Sequence, residues 1–260
     1  MNDLIKVKNS GYSEYEELLF ERDKVKKEAS EYNLEFLREF GDTITEIFRL
    51  KIECISKKKS ISFIQARVNK GEDVDSAELE DYLATEMAEY QEKLSQLIDD
   101  NVRANSGDFI SPRTAEKIKK LYHKLAKMIH PDINPKTDEV EALKNIWQMI
   151  KAAYTNNNLD ELEEAEVLLN HALNELGMGS EEIEIPDIED KIQKLKDEIF
   201  RIKTENPYSY RYILEDPEAL ETKKTELAAE LKEYQEYSAS LDAILEELMS
   251  NGVKFTWLMN

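Results

Sequence analysis

The chain has 260 residues, 41% hydrophobic and 35% charged, with only 7 Gly and 6 Pro. That composition supports a packed core, excludes wholesale disorder and lacks the turn residues of a fold built from many short strands. Lys and Arg number 35 against 56 Asp and Glu, a net charge of −21, so a global electrostatic footprint for nucleic acid or anionic lipid is absent. With one cysteine, Cys54, and three histidines, His123, His130 and His171, neither an intrachain disulfide nor a cysteine-cluster metal site can form.

From Ser13 to about Gly41, apolar residues recur at helical spacing (Tyr15, Leu18, Leu19, Val25, Ala29, Phe36, Phe40). Gly41 is expected to kink or end that helix. A second helix is expected over 43–68 through Ile44, Ile47, Phe48, Ile52, Ile55 and Ile61, broken by the KGED of 70–73. Asp75 and Glu78 have capping-box spacing for a helix that reaches about Ala104, and 105–109 reads as a loop.

Ser111-Pro112 is a helix start, an N-cap with proline at the first helical position. This helix is expected to run to Ile129, where His130-Pro131 stops it. Thr137 is expected to cap the next helix, which reaches Tyr154, and Asn158 with Glu161 starts another to about Leu176. The GMGS of 177–180 and Pro186 mark a boundary. Beyond it Ile188, Ile192, Leu195, Ile199 and Ile202 are spaced 4, 3, 4, 3, and Leu227, Leu231, Tyr234, Leu241, Leu245 and Leu248 continue that seam on a second helix. The pair reads as an antiparallel coiled-coil-like hairpin. Phe255, Trp257 and Leu258 form an apolar tail able to dock. No alternating strand pattern is present, and an all-α fold is expected.

Charge is uneven. Residues 111–136 carry 7 basic and 2 acidic groups, net +5, whereas 1–110, 137–182 and 183–260 are net −9, −9 and −8. On a helix over 113–129, Ile118, Leu121, Tyr122, Leu125, Met128 and Ile129 share one side. Lys117, Lys119, Lys120, His123, Lys124 and Lys127 share the other. Like charges three and four apart repel by a few tenths of a kcal/mol, so helix stability does not account for the row; an acidic partner surface does.

The row ends at His130-Pro131-Asp132. Here the chain resembles the J-domain of DnaJ-type co-chaperones: a basic helix, IKKLYHKLAKMIHPDINP over 118–135, is followed by Trp147, Ile150, Ala153 and Tyr154 at the spacing of that family's third helix. The match covers roughly 111–160. Residues 79–110 lack the Tyr-x-x-Leu-Gly usual in the family's first helix, and the helix ending near Ala104 is expected to take that packing place. Met128-Ile129 stands where a basic or aromatic pair is usual, and no Gly/Phe-rich linker or cysteine-rich module follows.

On this reading 1–110 is an N-terminal long-helix region, 111–177 a J-domain-like region and 178–260 the C-terminal hairpin. The resemblance implies docking on a DnaK-type chaperone in its ATP state and stimulation of that partner's ATP hydrolysis. The chain itself then does no covalent chemistry and needs no cofactor. His130, Pro131 and Asp132 correspond to the family's loop triad. Pro131 fixes a rigid exit, Asp132 offers a carboxylate to a partner arginine, and His130 offers a ring nitrogen. Lys117, Lys120, Lys124 and Lys127 steer the encounter. The flanking helices would present a client or bind a helical partner. Since no apolar run reaches about 18 residues and the opening MNDLIKVKNSG has no signal-peptide character, a cytoplasmic protein without membrane or nucleic-acid partners is expected.

Other readings stay open. The hairpin can be purely structural in a helical scaffold. His130 can complement the helix dipole and Asp132 can cap a turn. A metal hydrolase built on His130 and Asp132 lacks a third ligand nearby. Trp147, Ile150 and Tyr154 read as core facing Tyr122 and Leu125, His171 as structural and Cys54 as a small buried hydrophobe.

Overall fold

The structure, a computed structural model, describes residues 5–7, 11–106, 111–176, 181–183, 185, 187–250 and 255–256. In chain order it contains β1 (Ile5–Val7), α1 (Tyr12–Lys70), β2 (Val74–Asp75), α2 (Ser76–Ser106), α3 (Pro112–Ile129), α4 (Lys136–Glu139), α5 (Glu141–Thr155), α6 (Leu159–Glu175), β3 (Glu181–Ile183), α7 (Ile188–Thr204), a 3-10 turn (Tyr208–Tyr210), α8 (Arg211–Leu214), α9 (Pro217–Ser250) and β4 (Phe255–Thr256). The fold is all-α. Its strands form two short parallel pairs, β1 with β3 and β2 with β4, too short to leave an alternating pattern in the sequence. Residues 177–180, Pro186, Trp257 and Leu258, to which a boundary and a docking tail were ascribed, lie outside the described residues.

The chain divides into two compact units, 1–33 with 108–209 and 34–107 with 210–260. In the first, α3, α5 and α6 share a core of Ile118, Tyr122, Leu125, Leu143, Ile150 and Leu162. Tyr122 stacks on Tyr154 at 3.9 Å and His130 meets the edge of Trp147 at 4.7 Å. Moving forward along α3 therefore means moving backward along α5, and the two helices are antiparallel. The start of α1 adds Tyr15 and Leu19 to a cluster with Ile133 and the α7 residues Ile188, Ile192 and Leu195. Further on, Val25 and Ala29 meet Ile199 and Tyr208.

In the second unit, residues 34–70 of α1 pack on α2 through Ile52, Met87 and Leu94. They pack on α9 through Phe36, Phe40, Ile47 and Leu227, then through Cys54, Ile61 and Leu241. The apolar seams of α7 and α9, both legible in the sequence, are thus each buried against α1.

Local signals account for most helix ends. Ser111 caps α3, its hydroxyl accepting from the Thr114 amide at 3.1 Å, with Pro112 at the first position. Asn158 caps α6 through the Glu161 amide at 3.2 Å. Asp75 accepts from the amides of Ala77 and Glu78, while the Glu78 carboxylate pairs with Arg67 instead of closing the reciprocal half of a capping box. Gly71, with φ +73, ends α1 in the left-handed region that glycine tolerates.

Two expectations are corrected. Gly41 does not break α1, which continues to Lys70. A Cβ at Gly41 would stand 2.3 Å from Oδ1 of Asn101, so the glycine serves close approach of α2 rather than a bend. Thr137 does not cap α5. It lies inside the short α4, buried, and its hydroxyl has no hydrogen-bond partner among the described residues; α5 begins after Val140 with no side-chain cap.

Candidate functional site

The site is the corner between α3 and α4 and the part of α1 that packs on it. α3 stops where proline must stop it. The His130 amide closes the last helical bond to Ala126, and φ −61, ψ 125 at His130 turns the chain outward. The His130 carbonyl then accepts from the amides of Ile133 and Asn134 at 2.8 and 2.7 Å. The Asn134 side chain donates to the Met128 carbonyl and accepts from the Lys136 amide, both at 3.2 Å. Ile133, fully buried, pins the corner against Tyr15 and Leu19. The corner is rigid for local reasons that need no partner.

The triad residues are brought together but differ in access. His130 is only 3% exposed. Its Nδ1 accepts from the Asp132 amide at 3.1 Å, which leaves the proton of the neutral ring on Nε2. That nitrogen faces Asp23 Oδ2 at 3.6 Å and Arg22 Nη2 at 3.1 Å. A ring cannot accept at both nitrogens, so Arg22 Nη2 is a neighbour there rather than a donor. Pro131 is half-buried. The Asp132 side chain is 43% exposed, and its carboxylate is the one group of the triad turned toward solvent.

Asp132 is nonetheless engaged. Arg22 donates from Nη1 to Asp132 Oδ2 at 3.1 Å, and from Nε and Nη2 to Asp23 Oδ1 at 3.0 and 2.9 Å. The Tyr15 hydroxyl reaches the Asp132 carbonyl at 3.4 Å. Asp23 also accepts from the Tyr122 hydroxyl at 2.5 Å. Burial alone would raise the Asp23 pKa. Hydrogen bonding from His130, the Arg22 charge and the Tyr122 hydroxyl outweigh it and hold the carboxyl down to about 2. Burial, with the Asp132 charge adding to it, pushes Tyr15 up to about 12. Burial and the Asp23 charge push Tyr122 up as well.

The lysines of the row are exposed, and three of the four expected to steer docking have acidic neighbours within the chain. Lys127 pairs with Glu16 of α1 at 2.9 Å, Lys124 with Glu166 of α6, and Lys120 with Glu116 at 3.3 Å. Lys117, Lys120 and Lys124 line a shallow groove between α3 and α6 together with Leu121, Glu163 and Val167. His123, on the same face, stacks on Phe20 of α1 at 4.3 Å, and burial lowers its pKa. Part of the acidic surface that the row calls for is therefore supplied by α1 and α6.

The helix packed on this corner is α1, not the helix ending near Ala104. α2 belongs to the other unit, and Tyr15, Leu19, Phe20, Arg22 and Asp23 occupy the place assigned to it. Tyr15 and Leu19 belong to the helical apolar period of 13–41, but a local period does not connect them, or Phe20, Arg22 and Asp23, with a corner so far along the chain. Trp147, Ile150 and Tyr154 are core. Cys54 is buried. His171 is exposed beside Glu175 at 3.5 Å.

Among the described residues, no helix is long and apolar enough to cross a membrane. No protein-family model matches the chain, and comparisons with curated proteins and with solved structures yield no match.

Proposed function

We propose that this chain is a J-domain-type co-chaperone. It docks on an ATP-loaded DnaK-type chaperone through α3 and the His130-Pro131-Asp132 corner and stimulates the partner's ATP hydrolysis. The observation that carries the reading is the half-exposed Asp132 carboxylate, held on a proline-fixed corner at the end of a helix with an exposed lysine face. A carboxylate so held can accept an arginine fork with little loss of conformational freedom. One feature supports it: the antiparallel α3 and α5 joined through Tyr122, Trp147 and Tyr154. His130 acts indirectly, as the acceptor that fixes the Asp132 backbone. Lys117, Lys120, Lys124 and Lys127 set encounter rate and register, a contribution that fades as salt screens it.

The test is ATPase stimulation of a purified DnaK-type chaperone by the intact protein and by Asp132→Asn, which keeps the shape and removes the charge. Stimulation lost in the variant supports the reading; equal stimulation, or none from either, refutes it.

The second reading is a helical scaffold in which the corner is only a joint. It is favoured by the burial of His130 and by the engagement of Asp132 with Arg22 inside the chain. A protein inactive in that assay but destabilised by Asp132→Asn would be this scaffold.

A further inference from the structure

We infer that α1 restrains the docking corner in cis, with Arg22 standing on Asp132 in the place that a partner's arginine would take. The inference rests on the co-chaperone reading and adds a regulatory contact to it.

Asp132 has one side-chain arginine partner in the described structure, Arg22 Nη1 at 3.1 Å. Docking through the same carboxylate has to displace it. One helical turn and a half before Arg22, Glu16 holds the ammonium of Lys127, the lysine nearest the corner. Phe20, between them, covers His123 and lies 5.8 Å from the Lys127 ammonium. One stretch of α1, Glu16 to Arg22, thus satisfies both the carboxylate and a cation that the docking surface offers, with charges of the sign a partner would bring.

The contact is built to release. Arg22 keeps two other hydrogen bonds to Asp23, through Nε and Nη2, so losing Asp132 does not strand its charge. Asp23 in turn keeps Tyr122. The helix need not detach: Tyr15, Leu19 and Val25 remain in their clusters while one guanidinium nitrogen changes partner. Because the Asp132 side chain is 43% exposed, water and salt screen the pair, and the restraint is modest. It raises the partner concentration needed for docking about two- to fivefold, the range an exposed ion pair commands.

The experiment titrates the intact protein against a purified, ATP-loaded DnaK-type chaperone and reads the concentration for half-maximal ATPase stimulation. Arg22→Lys keeps a cation beside Asp23 without the fork that reaches Asp132 at the same time. Arg22→Gln removes the charge, and circular dichroism with thermal unfolding identifies either variant that fails to fold. The expected result is half-maximal stimulation at about two- to fivefold lower concentration for the folded variants, with stimulation still requiring Asp132 in each of them. Folded variants that match the parent, while the parent's stimulation still depends on Asp132, overturn the restraint and leave the co-chaperone reading intact. No stimulation by parent or variants removes that reading and the restraint with it.

Discussion

The hydroxyl of Tyr122 donates to the carboxylate of Asp23 across 99 residues of sequence. This bond ties α1 to α3 inside the first unit, and it sits behind the His130-Pro131-Asp132 corner rather than on it. The same tyrosine ring stacks on Tyr154, so one side chain couples the helix pair to the helix that covers it. Tyr122, Asp23, Arg22 and Asp132 are therefore joined in one run of hydrogen bonds from the core to the corner.

Tyr122→Phe keeps the stack and removes the donor. The buried Asp23 carboxylate then loses one of its hydrogen bonds, which costs about 1–3 kcal/mol when the group left behind is charged and buried. Urea unfolding reads this as a lower midpoint with an unchanged slope. A midpoint equal to that of the parent would show that the bond adds no stability.

Asp23 also sets an acid limit. Its pKa falls from 3.8 to about 2 in the folded chain, and a depressed folded pKa gives stability that is present above the unfolded value. That contribution, about 2 kcal/mol, is lost as pH falls from about 4 to about 2. Asp23→Asn should unfold more easily than the parent at neutral pH, and the difference should shrink across that window. A constant difference from pH 6 to pH 2 would place the acid sensitivity elsewhere.

Gly41→Ala ought to stabilise a helix interior by about 1 kcal/mol on propensity. Here the added methyl meets the Asn101 side chain at 2.3 Å and displaces an amide that donates to Asp42 at 2.7 Å. Net destabilisation of about 1 kcal/mol is expected, read by thermal unfolding. In an Asn101→Ala background the obstruction is gone and the same substitution should stabilise. The sign change between the two backgrounds is the measurement that counts.

Lys120→Glu with Lys124→Glu reverses two exposed charges on α3. Helical circular dichroism should be unchanged, because both side chains leave the core face intact. Affinity for a DnaK-type chaperone at low salt should fall about tenfold, and the difference should narrow as salt rises. Equal affinity at low salt would remove these lysines from the docking face.

Ser111→Ala removes the hydroxyl that accepts from the Thr114 amide. Loss of a helix cap costs about 1 kcal/mol, and Pro112 at the first helical position does not replace it. A reduced melting temperature with unchanged ATPase stimulation would separate helix stability from docking.

The limits of α3 and α6 and the core faces of α3 and α5 were legible in the sequence. Ser111, Pro112, Pro131 and Asn158 act through bonds to residues within a turn of themselves, and Tyr122, Leu125, Trp147 and Ile150 announce a buried face by their period. The signal at Gly41 was misread because glycine has two uses. It can free a backbone angle or admit a neighbour, and only the position of Asn101 decides between them. Thr137 failed as a cap for a similar reason: α4 intervenes before α5, and its hydroxyl is buried.

The sequence by itself determined an all-α chain, the two ends of α3, the start of α6 and the basic row leading to His130-Pro131-Asp132, because caps, proline and periodicity act over a few residues. Tertiary structure alone decided that residues 12–33 of α1 lie on that corner, that His130 is buried while Asp132 is half-exposed, and that Arg22 and Asp132 meet across 110 positions. A local pattern specifies which face of a helix is apolar. It does not specify which of several similar faces will cover it, since that choice depends on the packing of the whole unit.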